Sequence, residues 1–175
     1  MAKIIIINIV RFFLLIFLQV TLLKNIGFYN IATPFPYILF ILLLPIGIPN
    51  LTLYILAFLT GLTIDAFYDS MGVHASACVV LAFFRILFIN ITVDKDHKES
   101  FITPSWGNMK FKWFITYILL ATLIQHIALF FIEVFSTQNI LNTLLSIILS
   151  TIFTTIIILI IGLLTYSNKN KLTSY

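Results

Sequence analysis

Charge is what this chain has least of. Lys and Arg number 10 and Asp and Glu 6 in 175 residues, so 9% of the sequence is charged. A soluble domain carries about a quarter. With 61% hydrophobic residues, a water-soluble fold of this length is excluded, because its interior could not hide so much Ile, Leu and Phe. Cysteine is nearly missing: Cys78 stands alone inside an apolar segment, which excludes a disulfide framework. No small-x-small cleavage pattern follows the first apolar run, which continues past Arg11 to Leu23 and so reads as a retained span rather than a leader. No Ser, Cys or His stands in a pattern with a base and an orienter, so catalysis is not expected. The net charge of +4 is no nucleic-acid signature, since the lysines lie at span ends and in one loop. Internal repeats are absent.

What the chain does have is long apolar runs. A transmembrane helix needs about 20 such residues. The first run is Ile4 to Leu23, with Asn8, Arg11, Leu15 and Gln19 along one stripe. Pro36 to Pro49 is shorter and is interrupted by Pro45, which removes a backbone hydrogen bond and kinks a helix. Leu51 to Tyr68, Gly72 to Ile91, Phe111 to Phe135 and Ile140 to Thr165 follow. In the last, Asn142, Ser146, Ser150 and Thr154 recur every four residues and read as an interhelical hydrogen-bonding stripe. Residues 94–112 form one clearly aqueous loop, and Asn168 to Lys171 a basic tail.

Lysine placement sets the topology. With six spans and the N-terminus inside, Lys3, Lys95, Lys98, Lys110, Lys112, Lys169 and Lys171 are cytoplasmic and only Lys24 is outside. A re-entrant second segment would put the basic loop outside, against the positive-inside rule. The expectation is therefore an all-α, polytopic bundle of six transmembrane helices. It forms a single membrane domain over residues 1–175, with both termini cytoplasmic.

The most informative stretch joins the third and fourth spans. Asp65 falls inside a span, where a carboxylate costs a few kcal/mol and needs a partner, water or a task. Ala57, Gly61 and Asp65 lie at i, i+4 and i+8, with Asp69 one turn on. Such a small-residue face lets another helix approach closely. Gly72 supplies the turn, and His74 opens a span that carries a second buried charge, Arg85. Near the outer surface, the Ala57/Gly61/Asp65 face is expected to take a partner's helix, and Arg85 to serve packing within the subunit. Asp69, His74 and Cys78 have permissive spacing for a metal, but no second His or Cys cluster accompanies them, and neither metal nor cofactor is expected. Arg11, His126 and Glu133 are further membrane-embedded ionisable groups. His126 and Glu133 sit at i and i+7 on one face, and the spacing assigns these three no task.

From Pro36 to Arg85 the chain resembles the rod shape-determining MreD family of bacteria. The shared features are the proline-bounded second span, Gly61 and Asp65 at the end of the third, Gly72, His74 and Ala75, and the Ala82-Phe83-Phe84-Arg85 close. Elsewhere the likeness is in hydropathy and length. The resemblance implies a non-enzymatic inner-membrane subunit of the cell-elongation machinery, which maintains cell shape and helps organise peptidoglycan synthesis. Its partner would be the single-span periplasmic protein MreC. More loosely it would work with the RodA glycosyltransferase, a penicillin-binding transpeptidase and the actin-like MreB filament. The family is also similar in fold to the six-helix substrate-binding subunits of energy-coupling vitamin transporters. Vitamin uptake is thus the alternative, although the Asp69–His74 turn is too short for a ligand-binding loop.

Overall fold

With no water in a bilayer to satisfy the backbone, apolar runs must pair their own N–H and C=O groups, and helices do so locally. The computed structural model describes residues 2–24, 32–94, 101–133 and 140–165, and within them the chain is all-helical. Helix α1 spans Ala2–Leu18 and continues into a π-helical turn, Gln19–Leu23. A 3₁₀ turn, Pro36–Ile38, leads into the four-residue α2, Leu39–Leu42. Then come α3 Asn50–Tyr68, α4 Val73–Thr92, α5 Phe111–Glu133 and α6 Ile140–Leu164. Five helices, α1 with its π turn and α3 to α6, are long and apolar enough to cross a membrane. Of the lysines used for topology, Lys95, Lys98, Lys169 and Lys171 lie outside the described residues, as does the side chain of Lys3. The tail from Asn168 and the end of the expected fifth span at Phe135 lie outside them too.

Helices α3, α4, α5 and α6 pack in succession, each against the next. The turn 69–72 closes one end, the turn end. The loop 101–110 closes the other, where Gly162 of α6 lies against Phe114 and Trp106. Gln19 at the finish of α1 bonds Tyr68 at the finish of α3, and Lys24 Nζ donates to the Phe67 carbonyl. Those two helices therefore run parallel, so the chain between them must return through the depth of the bundle. It does so as the short second segment, not as a full helix. At its lower end the Ile46 N–H donates to the Ile102 carbonyl of the loop.

That returning segment is the core. Tyr37, Ile38, Ile41 and Leu42 are wholly buried, and Leu15, Leu53, Leu81, Tyr117 and Ile158 from the surrounding helices close on it. The outside is apolar as well: Phe13, Phe17, Ile55 and Ile152 are all about half exposed or more. An exterior of this kind suits lipid.

Candidate functional site: a capped hairpin and a braced broken segment

Asp69 and Gly72 take left-handed conformations, with φ of 54° and 82°. Such values favour Asn, Asp and Gly. The chain thereby reverses within four residues and lays α4 along α3. Gly61 makes the approach possible: a Cβ there would stand 2.5 Å from the His74 carbonyl oxygen and 2.6 Å from the Ala75 nitrogen. Ala57 is wholly buried on the same face.

Asp65, one turn beyond Gly61 and 4% exposed, uses this proximity. Its Oδ1 accepts the Ser70 hydroxyl at 2.6 Å and the His74 N–H at 3.0 Å, and its Oδ2 accepts the Ala75 N–H at 2.9 Å. The N-cap of α4 is Gly72, which has no side chain to offer. A carboxylate from the preceding helix takes the capping role and sets its charge at the positive end of the α4 dipole. The partner that the buried charge required is a helix terminus rather than a cation. This corrects the docking expectation: α4 of the same chain covers the Ala57/Gly61/Asp65 face. Asp69 contributes its backbone conformation, and its side chain is exposed.

Helix α2 ends after four residues, and Pro45 forbids its continuation. The carbonyls orphaned there are met one by one from three different helices. Tyr117 of α5 donates to Leu42 O at 3.0 Å, and Arg11 of α1 to Leu43 O at 3.2 Å. Arg85 of α4 donates through Nη2 to Leu44 O at 2.6 Å and Pro45 O at 3.0 Å. Arg11 is held by Asn8 Oδ1 at 2.8 Å. Arg11 and Arg85, the two arginines of the chain, thus brace one break. At the segment's upper end Pro34 and Pro36 bring no N–H. The donors that exist are met by α6: Thr33 N–H by Ser150 Oγ and Phe35 N–H by Thr154 Oγ1, both at 3.0 Å. Gln19 donates to Pro34 O at 3.2 Å. Irregular backbone is tolerated at membrane depth only where protein satisfies it, and these side chains do so.

Above α2 lies a polar and aromatic cluster. The Tyr37 hydroxyl is 3.0 Å from His74 Nδ1 and accepts from Gln125 Nε2 at 3.4 Å and from Cys78 Sγ at 3.8 Å. Its own proton is left for Nδ1. His126 Nδ1 lies 2.7 Å from the Thr122 carbonyl, which can only accept, so Nδ1 carries the proton. Nε2 then accepts from Thr154 Oγ1 at 3.3 Å. Phe35 packs between both imidazoles, edge-on to His74 at 5.2 Å and tilted against His126 at 5.7 Å between centroids. Both histidines therefore hold helices together. Glu133 lies two turns beyond His126 on the same line of α5, but at the helix end it is exposed while His126 is buried. No group of three His, Cys, Asp or Glu among the described residues could hold a metal ion.

In α6 the expected stripe is half right. Ser150 and Thr154 face inward, Asn142 is exposed and Ser146 is half-buried. The buried line instead runs through Thr143, Ile147, Ser150, Thr151, Thr154 and Thr155. Tyr37, Gln125 and Tyr117 were missed by sequence reasoning. A tyrosine beside prolines in an apolar run was the available signal for Tyr37, because its hydroxyl must find a partner in lipid. No family model, no curated protein and no solved structure matches this chain.

Proposed function

We propose that the chain is a non-enzymatic subunit of the bacterial cell-elongation machinery, of the MreD kind. In this reading it lies in the inner membrane as a six-span bundle related in fold to the vitamin-transporter subunits, with both termini cytoplasmic. It binds an MreC-like single-span protein and, through it, a RodA-like glycosyltransferase, a transpeptidase and an MreB-like filament. The observation that carries the reading is the use made of the residues on which the resemblance rests. Gly61, Asp65, Gly72, His74 and Ala75 lock one hairpin, and Arg85 braces the proline-broken second segment. They build a rigid scaffold.

The filled core at the turn end favours this reading over vitamin uptake. Phe35, Tyr37, His74 and His126 are buried against one another and fill that end of the bundle. Since α4 covers the Gly61 face, a periplasmic partner meets the exposed turn, where Asp69 and Met71 project. Depletion should round the cells, and the MreC-like protein should co-purify with the chain. Its recovery should fall with an Asp69→Lys, Met71→Lys double variant at matched membrane levels. Vitamin auxotrophy on depletion, or tight binding of a vitamin to the purified chain, would overturn the proposal.

A further inference from the structure

Arg85 carries a full charge that the described residues leave uncompensated. It is 2% exposed, its Nη2 donates to two neutral carbonyls, and its Nε is buried without a partner. None of the described residues brings it a carboxylate. A buried cation without an anion is costly. Arg85 nevertheless lines an opening, a pocket of about 290 Å³ bounded also by Ile46, Ile48, Asn50 and Asn90. Asn50 is the first residue of α3, whose N-cap Pro49 offers no side-chain bond. Asn50 lines the same pocket, so the N-terminal end of this 19-residue helix, with its N–H groups free of helical partners, lies beside it. Helix N-termini attract anions through these groups and through the dipole.

Beside it runs a groove of about 440 Å³ between α1 and α3, walled by Phe12, Phe40, Leu56, Leu59 and Ile48. Ile48 lines both spaces, so the cationic pocket and the apolar groove adjoin. We propose that together they bind one anionic phospholipid, its phosphate beside Arg85 and the α3 N-terminus and an acyl chain in the groove. The charge decides the class of lipid. A phosphate diester with a neutral headgroup supplies the missing anion, whereas a zwitterion brings a second cation toward Arg85 and a positive helix end. The groove decides the source, because a free phosphate would leave it unused.

The test uses the full chain, purified in a neutral detergent, with phosphatidylglycerol, phosphatidylcholine and inorganic phosphate as separate probes. Melting temperature and native mass spectrometry are the readouts. Phosphatidylglycerol should raise the melting temperature and bind roughly fivefold or more tightly than phosphatidylcholine, the value of one cation against an anionic lipid. Arg85→Ala strands two carbonyls and risks misfolding, so the decisive variant is Asn50→Glu. A carboxylate at the first helical position suits the α3 dipole, so the lipid-free melting temperature should hold or rise while the preference for phosphatidylglycerol disappears. Leu59→Trp, which fills the groove, should weaken phosphatidylglycerol binding without unfolding the chain. Equal binding of phosphatidylcholine, or an Asn50→Glu variant that keeps the preference, would overturn the proposal. So would inorganic phosphate that stabilises as well as the lipid does.

Discussion

Asp65 and Gly61 act as one device, and each can be removed singly. Asp65→Ala leaves the His74 and Ala75 N–H groups buried with no acceptor, and an unmet buried donor costs about 1–3 kcal/mol. The variant should therefore lose roughly 2–6 kcal/mol of stability in denaturant titrations in mixed micelles, counting two such donors. Asp65→Asn keeps an oxygen for one of them and should lose less. An unchanged midpoint for Asp65→Ala would refute the capping role. The two glycines separate space from conformation. Gly72 has φ of 82° and open space around it, so Gly72→Ala should cost only about 1 kcal/mol, the strain of a left-handed alanine. At Gly61 the backbone conformation is ordinary, but a Cβ would meet the backbone of α4. Because backbone cannot yield as a flexible side chain does, Gly61→Ala should destabilise more than Gly72→Ala. The reverse order, measured in the same titration, would mean that the two helices are not held at this distance.

The broken second segment is the element on which the others depend. Its irregular backbone is affordable only because Arg11, Gln19, Arg85, Tyr117, Ser150 and Thr154 meet it. Arg85→Ala should sharply lower the yield of folded protein, and Arg85→Lys should restore it poorly, because an ammonium lacks the reach and planar fork of the guanidinium. Thr154→Val keeps the shape but strands the Phe35 N–H and His126 Nε2, so it should cost about 1–3 kcal/mol. Membrane side-chain hydrogen bonds average only about 0.6 kcal/mol. A loss that small would mean that the freed N–H finds another acceptor. Much of this element was legible from sequence. Pro45 and the length of the run from Pro36 to Pro49 marked a short, kinked second span, where the structure has only a 3₁₀ turn and four helical residues. Asn8, Arg11, Leu15 and Gln19 share one stripe as their spacing required, and it is the half-buried to buried side of α1. The acceptors of Arg85 were not legible, because they lie 40 and 41 positions earlier in the chain. Periodicity reports which face a residue occupies, not which distant backbone atom waits there. For the same reason the Asp65 cap was missed. The cost of its charge was visible, but its partner is a helix terminus, which no side-chain pattern marks.

At the scale of the molecule, geometry and charge bear on one topology from independent sides. The parallel course of α1 and α3 requires the second segment to return through the bundle, and α4 sets the turn 69–72 and the loop 101–110 at opposite ends. In the proposed topology, lysine placement orients the bundle with the loop in the cytoplasm. The lone cysteine makes this testable. Cys78 is wholly buried, so the unaltered chain should be silent to a membrane-impermeant maleimide. Met71→Cys, at a fully exposed position of the turn, should be labelled on intact cells. Asp94→Cys, exposed just after α4, should be labelled only once the membrane is opened. Labelling of both in intact cells would place the two ends on one side, and α4, the one element between positions 71 and 94, could not be a crossing. Labelling of Asp94→Cys alone would keep the six passes and invert the bundle. The proposed anionic-lipid pocket, which lies at the loop end, would then face the outer leaflet.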